Sequence, residues 1–184
     1  MQFIIKLLTA LGTALTAVFI VLYLTLQHRI LLTLSISFGT FSYHFLMRLI
    51  VGAVVNAVMH NKADYRSRRY RLSEFEKKLY GFLKVKQWKG KMPTYDPSLF
   101  SLKLHTPGEI AGAMCQAEVV HEIIAVLSIL PLFLVPFFGE FAVFFVTSLL
   151  ASAFDMMFVI MQRYNRERVI KLVDKIASKN ICKN

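Results

Sequence analysis

Residues 3–26 read FIIKLLTALGTALTAVFIVLYLTL, an apolar run that contains a single charged side chain, Lys6. A helix crosses the hydrocarbon core of a bilayer with about 20 apolar residues, so this run is long enough to do so. Three further apolar runs follow, at about 31–59, 110–138 and 141–161. The sequence therefore predicts an all-α integral membrane protein with four transmembrane helices.

The composition supports the same class. The chain has 184 residues, 56% of them hydrophobic, including sixteen Phe, and a mean hydropathy of +0.53. A soluble domain of this length cannot bury so much apolar surface. We predict one membrane domain over residues 1–184. We expect no cleavable signal peptide, because the first apolar run is too long for the core of one.

Short polar links join the apolar runs in pairs. The tripeptide QHR, 27–29, separates the first two runs. Pro136, Gly139 and Glu140 mark a tight link between the third run, which is also interrupted by Pro131, and the fourth. This spacing predicts two helical hairpins, joined by the long polar segment 61–109.

Positive charge is concentrated in two blocks. The formal net charge is +11. Residues 61–110 contain twelve basic and five acidic side chains, and residues 163–184 contain seven basic and two acidic ones. Basic segments beside transmembrane helices stay cytoplasmic, so both blocks, and with them both chain termini, are predicted on that side. Anionic lipid headgroups or an anionic substrate are the expected partners, rather than nucleic acid.

Two amphipathic helices are predicted at the cytoplasmic interface. The first lies in SEFEKKLYGFLKVKQW, 73–88, where Ser73 and Glu76 have the spacing of a capping box. Its apolar face comprises Phe75, Leu79, Phe82 and Leu83. The second lies in the tail, 162–184, where apolar residues again recur at helical spacing opposite lysines.

Three ionisable residues open the third apolar run, in QAEVVHEII, 116–124. Glu118, His121 and Glu122 are spaced i, i+3 and i+4, so a helix places them on one face. Each costs about 2.5–3.5 kcal/mol at membrane depth. The functional interpretation is that a carboxylate orients His121, which acts as general base. The alternative is that the three groups simply touch water at the membrane edge.

Two other runs also contain ionisable groups, which we assign to substrate binding. His44 and Arg48 lie at i and i+4 in the second run, and Asp155 lies in the fourth. Arg48 needs a partner at this depth, and Glu118, Glu122 and Asp155 are the candidates. A purely structural ion pair is the alternative.

Two basic motifs flank the third and fourth runs. KVKQWKGKMP, 84–93, contains Lys86, Trp88 and Lys89, which are typical either of a phosphate pocket or of residues anchored at the bilayer interface. QRYNRER, 162–168, mixes polar residues with three arginines. The histidines are not spaced as a metal site, and there is no glycine-rich phosphate loop. We expect no metal and no resident cofactor.

Three motifs in order, KVKQWKGKMP, AEVVHEIIAVLSILP and QRYNRERVIKLV, resemble the glycosyl-4,4'-diaponeurosporenoate acyltransferases of staphyloxanthin-type biosynthesis. The resemblance covers about residues 84–171. It implies a bacterial cell-membrane enzyme that esterifies a glycolipid hydroxyl with a fatty acyl group. The co-substrate would be an acyl thioester such as acyl-CoA. By this resemblance the site residues are Lys86, Trp88, Lys89, Glu118, His121, Gln162, Arg163, Tyr164, Asn165, Arg166 and Arg168.

The chain departs from the family pattern at two positions. Glu167 stands where the family often has Pro, and Asp155 where Asn is expected. The acceptor is therefore open between a carotenoid glycoside and another glycolipid. A small membrane methyltransferase and a non-catalytic lipid-binding subunit are the alternative functions, and the sequence predicts no oligomeric state. Convergence of Arg48, Glu118, His121 and Asp155 on one cavity is the observation that would distinguish an enzyme from a non-catalytic subunit.

The topology is testable with reporter fusions. A phosphatase that is active only outside the cytoplasm, fused after residue 184, should be inactive, because four spans and the charge bias place this end inside. The same reporter inserted in the 27–29 link should be active. An active fusion at residue 184 would contradict the predicted orientation.

Overall fold

A computed structural model describes residues 2–181, with the side chains of residues 3–179. Seven α-helices and four short 3₁₀ helices make up this part of the chain, which contains no strand. The α-helices are α1 (Gln2–Leu26), α2 (Arg29–Met59), α3 (Glu74–Phe82), α4 (Val85–Trp88), α5 (Pro107–Leu127), α6 (Val135–Phe138) and α7 (Phe141–Ile181). The all-helical prediction is confirmed for the described residues.

Four segments are long and apolar enough to cross a membrane: Phe3–Leu26, Arg29–Met59, Pro107–Phe138 and Phe141–Lys179. The four predicted spans are thus confirmed by length and composition, and the chain is a membrane protein. Only 11% of the apolar stretch of the first span is buried within the protein. So large an exposed apolar surface is suited to lipid and not to water.

The chain divides into two compact units. The first unit comprises Met1–Ala53 and Ile123–Asp155, and the second comprises Val54–Glu122 and Met156–Asn184. In the first unit Phe19 stacks on Phe38, with 5.4 Å between ring centroids. Thr33 donates a 3.0 Å hydrogen bond to Glu140. The arrangement as two hairpins and the position of α3 at the membrane interface stay predictions.

The third span is not one continuous α-helix. Helix α5 begins at Pro107 and ends at Leu127, and a 3₁₀ helix, Leu130–Leu134, and then α6 follow. Pro131 and Pro136 explain this break, because each lacks the backbone N–H that an α-helix needs and its ring clashes with the preceding turn. The link to α7 uses positive φ angles at Gly139 and Glu140.

The separate helix predicted in the tail is not observed among the described residues, and the end of the fourth span at residue 161 stays a prediction. Helix α7 runs without interruption from Phe141 to Ile181. Residues 141–181 contain neither Pro nor Gly, so nothing in the backbone ends the helix where the apolar residues stop. Glu167, at the position where the family often has Pro, lies inside this helix. The predicted tail beyond Ile181 lies outside the described residues.

The first predicted amphipathic helix is present but shorter. Ser73 and Glu76 form the capping box, each side chain bonding the other's backbone N–H. Helix α3 ends at Phe82, because Lys84 adopts a left-handed conformation with φ 50° before α4 begins. Phe75 and Phe82 are 73% and 82% exposed, so within the described chain no protein covers these two rings of the apolar face.

Gly112 in α5 provides a test of packing in the second unit. A Cβ at this position would lie 2.7 Å from the backbone carbonyl oxygen of Asn61. Relieving this clash would require the backbone to move, which costs more than a change in a flexible side chain. Gly112→Ala should therefore destabilise the protein by about 1–3 kcal/mol. The measurement is the apparent unfolding temperature in detergent.

Gly52→Ala is the matched control, because a Cβ at Gly52 in α2 meets nothing within 4 Å. Without a clash, alanine favours the helix by up to about 1 kcal/mol. Equal unfolding temperatures for the two variants would contradict the close approach at Gly112.

Candidate functional site

A buried ion-pair cluster lies in the second unit. Glu118 on α5 is fully buried. Its Oε1 accepts a 2.5 Å hydrogen bond from Nη1 of Arg163, and its Oε2 accepts one from Nη1 of Arg166. Both arginines lie on α7, one turn apart, so they reach Glu118 from the same face. Together the three side chains form the Glu118 cluster.

The Glu118 cluster also binds the polar segment before α3. Nη2 of Arg166 donates a 2.8 Å hydrogen bond to the backbone carbonyl of Tyr70, and its guanidinium lies 4.9 Å from the centre of the Tyr70 ring. Nη2 of Arg163 donates to the carbonyl of Arg71 at 3.3 Å. The cluster therefore connects α5, α7 and the chain around residue 70.

Glu76 joins the cluster from helix α3. Nε of Arg163 lies 2.8 Å from Oε1 of Glu76, while Oε2 accepts from the backbone N–H of Ser73. Burial raises the pKa of Glu76, but the Ser73 N–H and the Arg163 guanidinium outweigh it and hold the pKa below its usual value. Burial, and then the charge of Glu76, raise the pKa of the neighbouring Tyr80 to about 12.

His121 lies one turn beyond Glu118 on α5 and is half-buried. Its ring stacks on Phe158 with 4.4 Å between centroids and 7° between planes. Glu122 instead pairs with Arg69 at 2.8 Å, and this hydrogen bond raises the pKa of Arg69. Both predicted partner carboxylates thus bind arginines. The orientation of His121 by one of them stays a prediction.

A cavity of about 270 Å³ opens in the same unit, between the 89–100 segment, α5 and α7. Three residues predicted to bind substrate, Lys89, Gln162 and Asn165, line it. The ammonium of Lys89 donates a hydrogen bond to Oδ1 of Asn165 and lies 4.9 Å from the centre of the Tyr164 ring. Two motifs that are more than 70 residues apart in sequence therefore meet here.

The other predicted residues of these motifs do not line the cavity. Lys86 and Arg168 are exposed. Trp88 is half-buried, and its indole N–H donates a 3.0 Å hydrogen bond to the carbonyl of Leu83. Its stacking on a substrate ring stays a prediction. A larger cavity, of about 540 Å³, is lined by residues of the 58–63 turn and by none of the predicted site residues.

Arg48, Glu118, His121 and Asp155 line neither of these two cavities, so their convergence on one cavity is not observed. The first unit holds the remaining predicted residues. Nη2 of Arg48 pairs with Asp155, which is fully buried, so Asp155 is the partner among the three candidates. Arg48 also donates a 2.7 Å hydrogen bond to the carbonyl of His44. His44 is buried, and neither of its ring nitrogens has a hydrogen-bond partner within the described residues.

Comparison with known protein families identifies the family of this chain. Residues 61–175 match the model of the CrtO family, described as glycosyl-4,4'-diaponeurosporenoate acyltransferase. The chain belongs to the CrtO family. No curated protein and no solved structure matches the chain.

The match to CrtO covers every residue of the Glu118 cluster and of the 270 Å³ cavity. Of the predicted site residues, His44 and Arg48 lie outside it. The family name indicates an acyltransferase of carotenoid biosynthesis, which agrees with the resemblance of the three motifs. Among residues 2–181, no three His, Cys, Asp or Glu side chains lie together as a metal site.

Sequence reasoning missed several residues of this CrtO site. The sequence predicts Glu76 only as part of the capping box. Its spacing from Ser73 accounts for one carboxylate oxygen, but nothing local shows that the other oxygen pairs with Arg163. Tyr70 and the apolar wall of the cavity had no signal at all, because their role depends on which segments pack together. The wall comprises Met92, Pro97, Phe100, Met114 and Met161.

Removing the charge of Glu118 tests whether it holds the two arginines in place. Glu118→Gln leaves Arg163 and the fully buried Arg166 without their common counter-ion. Loss of one partner of a buried ion pair costs about 3–5 kcal/mol. The unfolding temperature of this variant in detergent should therefore fall sharply.

Glu74→Gln is the matched control, since Glu74 is an exposed residue of α3 whose only ion pair in the described structure is with Lys77. Its unfolding temperature should equal that of the unsubstituted protein. A Glu118→Gln variant of unchanged stability would contradict the structural role of the cluster.

Proposed function

We propose that this CrtO-family protein transfers a fatty acyl group from a thioester onto a hydroxyl of a membrane-embedded glycosyl lipid. A glycosyl carotenoid is the acceptor that the family name favours. The observation that carries the proposal is the meeting of Lys89, Gln162 and Asn165 at one cavity. These residues come from two motifs that both lie within the region matched to the acyltransferase family.

The reaction requires one proton transfer and one exchange of bonds at the acyl carbonyl. The acceptor oxygen attacks the thioester carbon and forms a tetrahedral intermediate. The new C–O bond persists, the C–S bond breaks, and the proton of the hydroxyl passes through a base to the leaving thiolate. The protein must therefore supply a base that accepts and then donates the proton.

We assign the role of base to His121. Its imidazole is half-buried, so substrate can reach it, and stacking on Phe158 restricts rotation of the ring. An imidazole nitrogen can accept a proton and then donate it, which suits both halves of the proton transfer. Glu118 or Glu122, at i−3 and i+1 on the same helix, would influence the imidazolium by charge.

Arg163 and Arg166 receive a structural role in this scheme. Their guanidinium groups already bond Glu118, Glu76 and two backbone carbonyls. A negative charge that develops during the reaction would have to compete with those partners. Cations with fewer hydrogen bonds to the protein are the better candidates for contact with an anionic donor, and these are Lys86, Lys89 and Arg168.

The proposed topology is consistent with such a donor. With both termini in the cytoplasm, the 61–109 segment and the end of α7 face the cytosol, where thioester donors are made. The acyl chain and the lipid acceptor would both lie in the bilayer. The reaction would then occur at the inner surface of the cell membrane.

His121→Ala and His121→Asn test the assignment of the base. Membranes containing each variant would receive a glycosyl carotenoid and an acyl thioester, and the ester product would be measured by mass spectrometry. Loss of a general base lowers the rate by about 10²–10⁴-fold. His28→Ala, at an exposed position in the link before α2, should keep full activity.

The amount of folded protein in each membrane preparation must be measured alongside. His121→Asn retaining normal turnover at normal abundance would remove His121 as the base. Absence of ester product from the unsubstituted protein with every acyl thioester tested would contradict the proposed function itself.

A further inference from the structure

The 270 Å³ cavity has one polar and one apolar wall. Lys89, Thr94, Gln162 and Asn165 form the polar wall. Methionines from three separate segments, with Pro97 and Phe100, form the other. A cavity with this division fits a slender ligand that carries polar groups along an aliphatic chain, because each wall then meets the matching part.

Of three neighbouring cations, only Lys89 lines this cavity, while Lys86 and Arg168 are exposed and lie near enough for their charges to act on Lys89. Lys89 lies in the polar wall and bonds Asn165. Lys86 precedes Lys89 by one helical turn, and Arg168 follows Asn165 by one turn of α7. Burial, and then the charges of Arg168 and Lys86, lower the pKa of Lys89. An anion bound between these groups would relieve their mutual repulsion.

The size and charge of the site distinguish between the two substrates. The cavity lies just below the usual range of about 300–1,000 Å³ for ligand sites, so it holds part of a substrate and not the whole. A sugar headgroup is uncharged and would leave the three cations without a counter-ion. A donor that carries phosphate next to a narrow amide-containing arm satisfies both requirements.

We propose that this cavity binds the phosphopantetheine arm of the acyl donor, with its phosphate on Lys86, Lys89 and Arg168 and its amides on Gln162 and Asn165. This proposal rests on the proposed function and specifies its donor. Asn165 accepts from Lys89 through Oδ1 and keeps its amide N–H groups as donors. The aliphatic parts of the arm pack against Met92, Met114 and Met161.

Binding to the purified full-length protein in detergent tests the proposal without turnover. The probes are coenzyme A, pantetheine, which lacks the phosphate, and inorganic pyrophosphate, which lacks the arm. Calorimetry should give the tightest binding for coenzyme A. Lys86→Met and Arg168→Met should each weaken coenzyme A binding about tenfold and leave pantetheine binding unchanged, since each removes one charge-assisted contact.

A second pair of variants distinguishes the contribution of the arm to binding from that of the phosphate. Gln162→Met should weaken pantetheine and coenzyme A alike, by about fivefold to tenfold, because it removes a neutral hydrogen bond to the arm. Lys103→Met, an exposed cation elsewhere in the basic segment, should change neither affinity. Unfolding temperatures establish that each variant is folded.

Two results would overturn the proposal. One is pyrophosphate binding as tightly as coenzyme A, which would indicate an anion site with no place for the arm. The other is coenzyme A binding that is unaffected by Lys86→Met, Arg168→Met and Gln162→Met together. Acyl transfer from a donor without phosphopantetheine would refute this proposal and leave the proposed function intact.

Turnover with two donors then identifies the source of the arm. Acyl-CoA and an acylated carrier protein present the same phosphopantetheine, so activity with either supports the proposal. The donor that gives the faster turnover is the source of the arm. Coenzyme A binding with the predicted variant effects, but no ester product from any acceptor, would support the donor site and contradict the proposed function.

Discussion

The second unit depends on how the charge of one buried carboxylate is balanced. Glu118 has no access to water, so its charge must be balanced by protein groups. Arg163 and Arg166 provide this balance from α7, and each then uses its remaining N–H groups on the segment that contains Tyr70, Arg71 and Glu76. A single charge thereby fixes the positions of three parts of the chain.

This constraint separates the basic residues of the family motifs into two groups. The arginines that bind Glu118 have most of their hydrogen-bonding capacity committed within the protein. The other three cations have far fewer partners in the described structure. Lys89 lines the cavity, and Lys86 and Arg168 are exposed. The motif QRYNRER therefore contains two arginines that bind Glu118 and, two residues after Arg166, the exposed Arg168, a difference that its sequence does not show.

Several elements could be predicted because their cause is local. The capping box at Ser73 and Glu76 depends on residues three positions apart, and the spans depend on runs of apolar side chains. The end of helix α7 could not be predicted from hydropathy, because the helix continues beyond the apolar residues as long as its backbone allows. Asp155 was one of three candidate partners of Arg48, and only the packing of α2 and α7 in the first unit selected it.

By itself the sequence determined the class of this protein: helices, membrane spans, two basic segments and a family of acyltransferases. These follow from composition, periodicity and order along the chain. Only the tertiary structure decided that Glu118 binds two arginines and that Lys89 meets Asn165. Ion pairs and cavities join residues that are distant in sequence. Their partners are therefore chosen by which helices pack together and not by spacing.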